Sequence, residues 1–293
     1  GLADDAAVLA PPLGNDLVAT HDMLAEGVHF TPDCPPEDIG WKLAAINLSD
    51  LAAMGAAPLA ALFGAGLGPG RDAAWATALA RGLAACLDAH GCPLVGGDTI
   101  RQSGPTTLSL TALGHLPHGS ALSRAGACDG DDLWVSGTIG DAGLGLEIVQ
   151  GRRPWNRALL ARYRCPSPRL ALGRALRGLA SAAMDVSDGL LLDAARLAEA
   201  SGLAARIEEA AIPLSPAARA TGVPARYLAT LGDDYELLFA APPARRDALI
   251  AAAGTTPISR VGTVVPPGQG GHLILLDVTG QSVSVDRLGY RHA

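Results

Sequence analysis

The chain has 293 residues, of which 49% are hydrophobic, 17% charged and 4% aromatic, which is enough to fill the cores of two ordinary domains and argues against disorder or a fibre. A formal net charge of −7 without a run of Lys or Arg disfavours nucleic acid as a partner. Five cysteines without a C-x-x-C pair, no stretch long enough to cross a membrane and no basic signal-peptide start lead us to expect a cytoplasmic protein.

In the first part of the chain, segments with the two-residue hydrophobic period of a strand alternate with segments that have the 3.6-residue period of a helix. Strands are predicted over residues 17–20, 59–67, 93–95 and 107–113, and helices over residues 35–54 and 73–89. Glycine and proline interrupt every pattern between residues 115 and 131, although a connection within one sheet would look similar. We place the domain boundary there and expect domains of residues 1–118 and 119–293.

The second part has the same mixed character. Strands are predicted over residues 133–136, 235–240 and 273–278, and helices over residues 142–150, 168–179 and 190–200. The fold class is therefore α+β, with two mixed α/β domains. No strand is followed by G-x-G-x-x-G, which residues 140–145 (GDAGLG) resemble only loosely, so a Rossmann fold is disfavoured. A single lysine, Lys42, does not complete a P-loop.

Aspartates recur beside apolar or small residues, where an isolated charge is costly. They are Asp4, Asp5, Asp22, Asp50, Asp98, Asp185, Asp188, Asp233 and Asp234. We expect these carboxylates to be withdrawn from the solvated surface and brought together by a hard divalent cation, which prefers oxygen ligands. The ligand that most needs such a site is a polyphosphate, which would be held through Mg²⁺, backbone amides and one or two arginines.

Each local motif also has a structural interpretation. In residues 185–190 (DVSDGL), Ser187 or Asp188 could cap the following helix, but capping explains only one residue, and we favour a phosphate or metal role. Asp50 lies on a mostly apolar helix, where metal ligation and a partner hydroxyl explain it equally well. Residues 96–99 (GGDT) follow a predicted strand and indicate either a tight turn or close approach to a ligand. His29, taken alone, is typical of a hydrogen-bonded core histidine, and the cysteines lack an activating His.

Taken in order, these motifs resemble the thiamine-monophosphate kinase family, within the superfamily of aminoimidazole ribonucleotide synthetase. The matching segments are residues 4–8 (DDAAV), 22–30 (DMLAEGVHF), 47–55 (NLSDLAAMG), 96–99 (GGDT), 122–126 (LSRAG), 185–190 (DVSDGL) and 232–237 (GDDYEL). The resemblance implies ATP-dependent phosphorylation of thiamine monophosphate to thiamine diphosphate with several Mg²⁺ ions, in a cleft between the domains. It also implies a homodimer joined through N-terminal sheets.

The resemblance assigns roles residue by residue. The metal ligands would be Asp5, Thr20, His21, Asp22, Asp50, Asp98, Asp185 and Asp188, of which Asp50, Asp98 and Asp188 are also the catalytic candidates. Gly97, Asp98, Arg124 and Ser187 would contact ATP. His29, Asp233 and Tyr290 would contact the substrate.

Three positions depart from the family pattern. His21 stands where a metal-ligating Thr is usual, so its contact is expected from the backbone carbonyl. Asp233 replaces a Glu and is shorter by one methylene, and Ala3 replaces a glycine. Two other functions stay open: another ATP-dependent enzyme of the superfamily with a different acceptor, and a non-catalytic Mg-nucleotide binding module.

Overall fold

The computed structural model describes residues 6–268 and 271–290. The chain forms two compact units, the first comprising Gly1–Leu51 and Ala56–Gly119, and the second comprising Ala52–Gly55 and Ser120–Ala293. No helix among the described residues is long and apolar enough to span a lipid bilayer.

The first unit is a sheet with helices packed on one of its faces. Its elements are β1 (Asn15–Ala25), α1 (Pro36–Ala53), β2 (Ala57–Leu67), α2 (Ala73–Ala89), β3 (Leu94–Arg101) and β4 (Thr107–Pro117). The strand order is β1-β4-β2-β3, in which β2 and β3 are parallel and the other pairs antiparallel. The sequence predicted both helices closely, but the strands at residues 17–20 and 93–95 are much longer than expected.

Alternation along the strands explains why one face of this sheet is covered. On β4, Leu108, Leu110 and Ala112 are fully buried and alternate with half-buried residues. The two helices can approach closely because of glycine: a Cβ on Gly40 would lie 2.1 Å from the carbonyl oxygen of Leu79. The many Ala and Gly residues are therefore used for close helix packing.

The second unit is larger and contains more elements. They are β5 (Asp132–Ser136), α3 (Asp141–Val149), α4 (Arg157–Arg164), α5 (Leu170–Leu176), β6 (Ala182–Val186), α6 (Leu190–Ala200), β7 (Ala204–Glu208), α7 (Pro216–Ala220), α8 (Ala225–Leu228), β8 (Glu236–Ala241), α9 (Arg246–Ala253), β9 (Ile258–Val265), β10 (Leu273–Leu276) and β11 (Ser282–Val283). Short 3₁₀ turns lie at Glu209–Ala211 and Pro243–Arg245.

The sheet of the second unit is mixed. Its strand order is β11-β10-β7-β9-β5-β8-β6, with β10 and β7 parallel and the other described pairs antiparallel. The expected mixed α/β fold is confirmed, and a doubly wound parallel sheet is excluded. The core joins sheet residues such as Val135 and Leu238 to Leu190 and Leu197 of α6, so this helix lies firmly on the sheet.

Candidate functional site

Two site residues of the first unit are in direct contact. The hydroxyl of Thr20 on β1 donates to the carboxylate of Asp50 on α1, with 2.5 Å between Oγ1 and Oδ2. Asp22 lies two residues further along the same face of β1, and its backbone amide donates to Oδ1 of Asn47, one turn before Asp50. Each of the three site side chains is half-buried. Thr20, Asp22 and Asp50 therefore share the interface between β1 and α1.

His21 and Asp98 are not part of that group. The His21 side chain is exposed on the opposite face of β1, where its Nδ1 lies 2.9 Å from the hydroxyl oxygen of Thr111. A metal contact beside Thr20 would therefore have to use its backbone carbonyl. Asp98 lies on β3, three strand spacings from β1. The register aligns it across the sheet with Gly64, Ser109 and finally Met23 on β1, which at the usual strand spacing is about 14 Å away.

The expectation that Asp98 is withdrawn from solvent is wrong, because the residue is exposed. Its carboxylate Oδ1 accepts a hydrogen bond from the amide of Thr99 at 2.7 Å. Residues 96–99 are also not a turn after a strand, since they lie within β3. Gly97 has a φ of 153°, and a Cβ there would lie 2.0 Å from the carbonyl oxygen of Phe63. Strand pairing alone thus requires this glycine.

His29 has a fixed ring orientation. Its Nδ1 accepts a hydrogen bond from the amide of Ala25 at 3.0 Å, and its own amide donates to the carbonyl of Ala25 at 2.9 Å. Because Nδ1 is an acceptor, the neutral ring carries its proton on Nε2. This residue is the hydrogen-bonded histidine of the structural interpretation, and its Nε2–H is also a donor suited to an anionic group.

In the second unit, the loop after β6 is held by a carboxylate that the sequence analysis did not identify. The amides of Ser187, Asp188 and Gly189 all donate to Oδ2 of Asp193, at 3.1, 3.0 and 3.2 Å. Neither Ser187 nor Asp188 caps α6, whose N-cap is Gly189 without a side-chain capping bond. The capping alternative is therefore wrong. The sequence signal for the actual contact was the acidic residue in the first turn of α6.

The carboxylate of Asp188 is itself engaged. Nη1 of Arg196 lies 2.5 Å from Oδ2 of Asp188 and 3.0 Å from Oδ1 of Asp193. Burial, aided by the charge of Asp188, raises the pKa of Asp193 to about 6, while the amide of Asp188 and the Arg196 guanidinium oppose that rise. A cationic side chain therefore lies between the two carboxylates.

Two distant segments converge on the same loop. The amide of Asp233 donates to the carbonyl of Ser187, and the amide of Tyr290 donates to the carbonyl of Asp188, both at 2.8 Å. The approach is close, since a Cβ on Gly289 would lie 2.5 Å from the carbonyl oxygen of Asp188. Four predicted residues of the second unit, Ser187, Asp188, Asp233 and Tyr290, are thus brought together by backbone hydrogen bonds.

Asp185 and Arg124 lie elsewhere in the second unit. Asp185 is buried within β6, paired with Leu237. Arg124 is exposed beside the start of this strand, where the carbonyl of Ser123 accepts from the amide of Ala183 at 2.8 Å. About 13 Å of extended chain separates that point from Ser187. Arg124 and Ser187 are therefore at opposite ends of β6.

Two further buried acids stabilise the surroundings of the loop. Asp234 accepts from the amides of Gly140 and Ala142 at the start of α3, at 2.7 and 3.3 Å. Glu236 is paired with two guanidiniums: Arg162 lies 2.8 Å from Oε1 and Nε of Arg169 lies 2.7 Å from Oε2. Both acids are fully buried. The sequence gives no local signal for either contact, because each partner lies tens of residues away.

Of the aspartates expected to form a metal site, Asp4 and Asp5 lie outside the described residues. Within residues 6–268 and 271–290, no three His, Cys, Asp or Glu side chains are arranged to hold a metal ion. The chemistry of the donors nevertheless fits Mg²⁺, because Thr20, Asp22 and Asp50 offer hard oxygens on one face. The assignment of these residues as Mg²⁺ ligands stays a prediction.

Comparison with known proteins identifies the family. The model for the N-terminal domain of AIR synthase related proteins matches residues 3–116, and that for the C-terminal domain matches residues 129–274. The thiamine-monophosphate kinase of Caulobacter vibrioides is 42% identical over 99% of this chain and 84% of its own length. The chain belongs to the thiamine-monophosphate kinase family.

Solved structures of the thiamine-monophosphate kinase family agree with the fold. The crystal structure of the enzyme from Stenotrophomonas maltophilia K279a has a TM-score of 0.83 and 40% identity, covering 97% of this chain and 91% of that one. The structure of AaThiL complexed with AMPPCP and TMP has a TM-score of 0.84 and 29% identity, covering 99% of this chain and 92% of that one. The resemblance seen in the motifs is therefore confirmed.

Proposed function

We propose that this protein transfers the terminal phosphoryl group of ATP to thiamine monophosphate, producing thiamine diphosphate and ADP. Similarity to thiamine-monophosphate kinases over at least 97% of this chain carries this proposal, and the complex of AaThiL with AMPPCP and TMP supports both substrates. In the reaction, an oxygen of the substrate phosphate forms a bond to the γ-phosphorus while the bond from that phosphorus to the β,γ-bridging oxygen breaks.

The residues present suit this chemistry. A phosphate monoester has a second pKa of about 6 and is largely ionised near neutrality, so the acceptor needs no strong base. The main obstacle is repulsion between two phosphorylated substrates. Mg²⁺ would neutralise part of that charge. We assign the ligands of one such ion to Thr20, Asp22 and Asp50 in the first unit, with the carbonyl of His21, and we assign Asp98, about 14 Å from β1 at the usual strand spacing, to a separate Mg²⁺ ion.

The second unit would supply the remaining groups. Asp185 and Asp188 are the further proposed metal ligands, and Ser187 and Arg124, with Gly97 of the first unit, are proposed to contact ATP. Asp233 and Tyr290 are joined to the Asp188 loop by their backbone amides, which places them suitably to contact the acceptor. His29 offers Nε2–H as a donor to the substrate phosphate.

We also propose that the protein is a homodimer joined through the outer face of the first unit's sheet. That face exposes large apolar side chains on three of its four strands: Leu17 is 58% exposed and Met23 51% on β1, Leu62 is 39% exposed on β2, and Ile100 is 56% exposed on β3. Exposed large apolar side chains gathered on one face of a sheet are typical of a protein–protein interface. Light scattering should give the mass of a dimer, and Met23→Arg should convert it to a monomer. A monomeric wild type would contradict this assignment.

A cytoplasmic location is a further proposal. None of the five cysteines, all of which lie in the described part of the chain, forms a disulfide, and burial raises the pKa of the Cys92 thiol to about 11, so that thiol is unreactive. Free thiols are typical of a reducing compartment.

The function is tested by chromatographic quantification of ADP and thiamine diphosphate after incubation with ATP, Mg²⁺ and thiamine monophosphate. We expect the two products in equal amounts. The acceptor is tested in the same assay with a formylglycinamidine nucleotide and with selenide, neither of which should increase ADP release. A stronger response to either would favour the alternative superfamily enzyme, and tight Mg-ATP binding without any product would favour a non-catalytic module.

A further inference from the structure

The loop of residues 187–189 is fixed to α6 by one buried side chain. Three successive amides, those of Ser187, Asp188 and Gly189, donate to the same oxygen of Asp193, which is fully buried. Three donors on one carboxylate oxygen specify the backbone path of the loop. They also show that these amides point into the protein, so Ser187 and Asp188 can reach a ligand through their side chains but not through their own N–H groups.

The second oxygen of Asp193 acts on the side chain of Asp188 through Arg196. Nη1 of Arg196 lies 3.0 Å from Oδ1 of Asp193 and 2.5 Å from Oδ2 of Asp188. The Arg196 side chain is 37% exposed, whereas the Asp188 side chain is 16% exposed and that of Asp193 0%. The arginine therefore holds the Asp188 carboxylate by a charge-assisted bond whose other end is anchored in the core.

We propose that Asp193 and Arg196 are positioning residues for phosphoryl transfer: Asp193 fixes the backbone of residues 187–189, and Arg196 fixes the carboxylate direction of Asp188. Neither residue touches the substrates in this assignment. The inference rests on the proposed function only for the role of Asp188. Because the Asp188 carboxylate is already held in one direction, it can bind Mg-nucleotide without first being ordered. Loosening this carboxylate should therefore weaken nucleotide binding as well as turnover.

The test uses amide hydrogen exchange of the nucleotide-free protein, together with calorimetry of Mg-AMPPCP binding and steady-state turnover. Asp193→Ala removes the acceptor for three amides, so exchange in the peptide covering residues 187–189 should accelerate at least about tenfold, as expected for the loss of charged hydrogen bonds. Arg196→Met should raise the dissociation constant of Mg-AMPPCP and the half-saturating Mg²⁺ concentration by about tenfold. Arg196→Lys, which keeps a cationic donor, should restore most of both values.

Arg246→Met is the matched control. Arg246 is paired with the buried carboxylate of Asp132 at 2.6 Å, in the same unit, and its guanidinium donates to Asp132 rather than to residues 187–189. It should lower stability comparably and leave exchange at those residues, nucleotide affinity and Mg²⁺ dependence at wild-type values. If a general loss of stability were the cause, nucleotide affinity and Mg²⁺ dependence would change to the same extent in Arg196→Met and in the control. If Arg196 positions Asp188, these values should change in Arg196→Met and not in the control.

The outcomes distinguish this inference from the proposed function. Wild-type exchange in a folded Asp193→Ala protein, or a wild-type half-saturating Mg²⁺ concentration in Arg196→Met, would overturn the positioning role. If Asp193→Ala does not fold, the Arg196→Met and Arg196→Lys pair decides. If the wild type forms no thiamine diphosphate, the proposed function fails, and the exchange and Mg-AMPPCP measurements still decide whether Asp193 and Arg196 order the loop.

Discussion

Replacing Asp234 by Asn should remove part of the pH dependence of the unfolding free energy. The Asp234 side chain is fully buried and accepts from the amides of Gly140 and Ala142 at the start of α3. Burial raises its pKa from 3.8 to about 8, although those two amides and the charge of Arg162 oppose the rise. The folded protein therefore holds a proton on this carboxyl at a pH where the unfolded chain has lost it.

The sign of the effect follows from proton linkage. Because the pKa is higher in the folded state, the favourable contribution of this group is full below about pH 4 and is lost as the pH rises towards 8. Each pH unit in that window costs about 1.4 kcal/mol of unfolding free energy. Asn does not titrate. The stability of Asp234→Asn relative to wild type should therefore increase by about 3 kcal/mol between pH 5 and pH 7.

Urea unfolding followed by far-ultraviolet circular dichroism at pH 5, 6 and 7 measures this difference, provided that the m-values agree. Asp247→Asn removes an exposed carboxylate from α9 and should give a curve parallel to that of wild type. If Asp234→Asn is also parallel to wild type, Asp234 is ionised in the folded protein, and the reasoning from burial is refuted.

Two other substitutions, each with a control, test a close backbone approach and a buried ion pair near the predicted motifs. Gly97→Ala should lower the unfolding free energy by about 3 kcal/mol, because its Cβ would meet the carbonyl oxygen of Phe63 at 2.0 Å. The control Gly96→Ala, whose Cβ would be 3.4 Å from Leu62, should cost far less, and equal losses would contradict the argument. Glu236→Gln should cost about 3 kcal/mol or more in urea unfolding, because it leaves Arg162 and Arg169 without their buried partner. Ser136→Ala, which removes a neutral donor to the same carboxylate, should cost about 1–2 kcal/mol, and a larger loss than in Glu236→Gln would show that the ion pairs add little.

The two helices of the first unit were predicted well because their signals are local, whereas α4, α7, α8 and α9 of the second unit were not predicted. Asp72 precedes α2 and accepts the amide of Trp75 at 2.8 Å, and the apolar period of this helix ends where the chain reaches His90 and Gly91. Strand limits depend instead on partners. The predicted strand at residues 17–20 extends to Asn15–Ala25 because β4 pairs with every one of its residues.

The candidate site was predicted in part. Motif order identified residues that the structure places together, such as Thr20 with Asp50 and Asp233 with Ser187. It did not reveal that Asp98 is exposed on another strand. That placement follows from sheet register, which joins residues far apart in the chain and leaves no periodic signal around any one of them.

The residues that support the site were missed for a related reason. A carboxylate in the first turn of a helix, such as Asp193, is ordinarily attributed to the helix dipole. Its actual partners are three amides that precede the helix, a contact that depends on how the chain turns out of β6. A motif shows which side chains meet a ligand more readily than it shows what holds them there.

The most direct test of the central claim is the rate of thiamine diphosphate formation as a function of Mg²⁺ concentration in wild type, Asp50→Asn and Asp72→Asn. We expect the wild type to depend on Mg²⁺ and Asp50→Asn to lose at least about a hundredfold in kcat while keeping its circular dichroism spectrum, since a metal ligand is removed without a change of shape. Asp72→Asn, which alters only the cap of α2, should keep wild-type turnover. Wild-type turnover in Asp50→Asn, with the same Mg²⁺ dependence, would contradict the proposal that this carboxylate holds the metal for phosphoryl transfer.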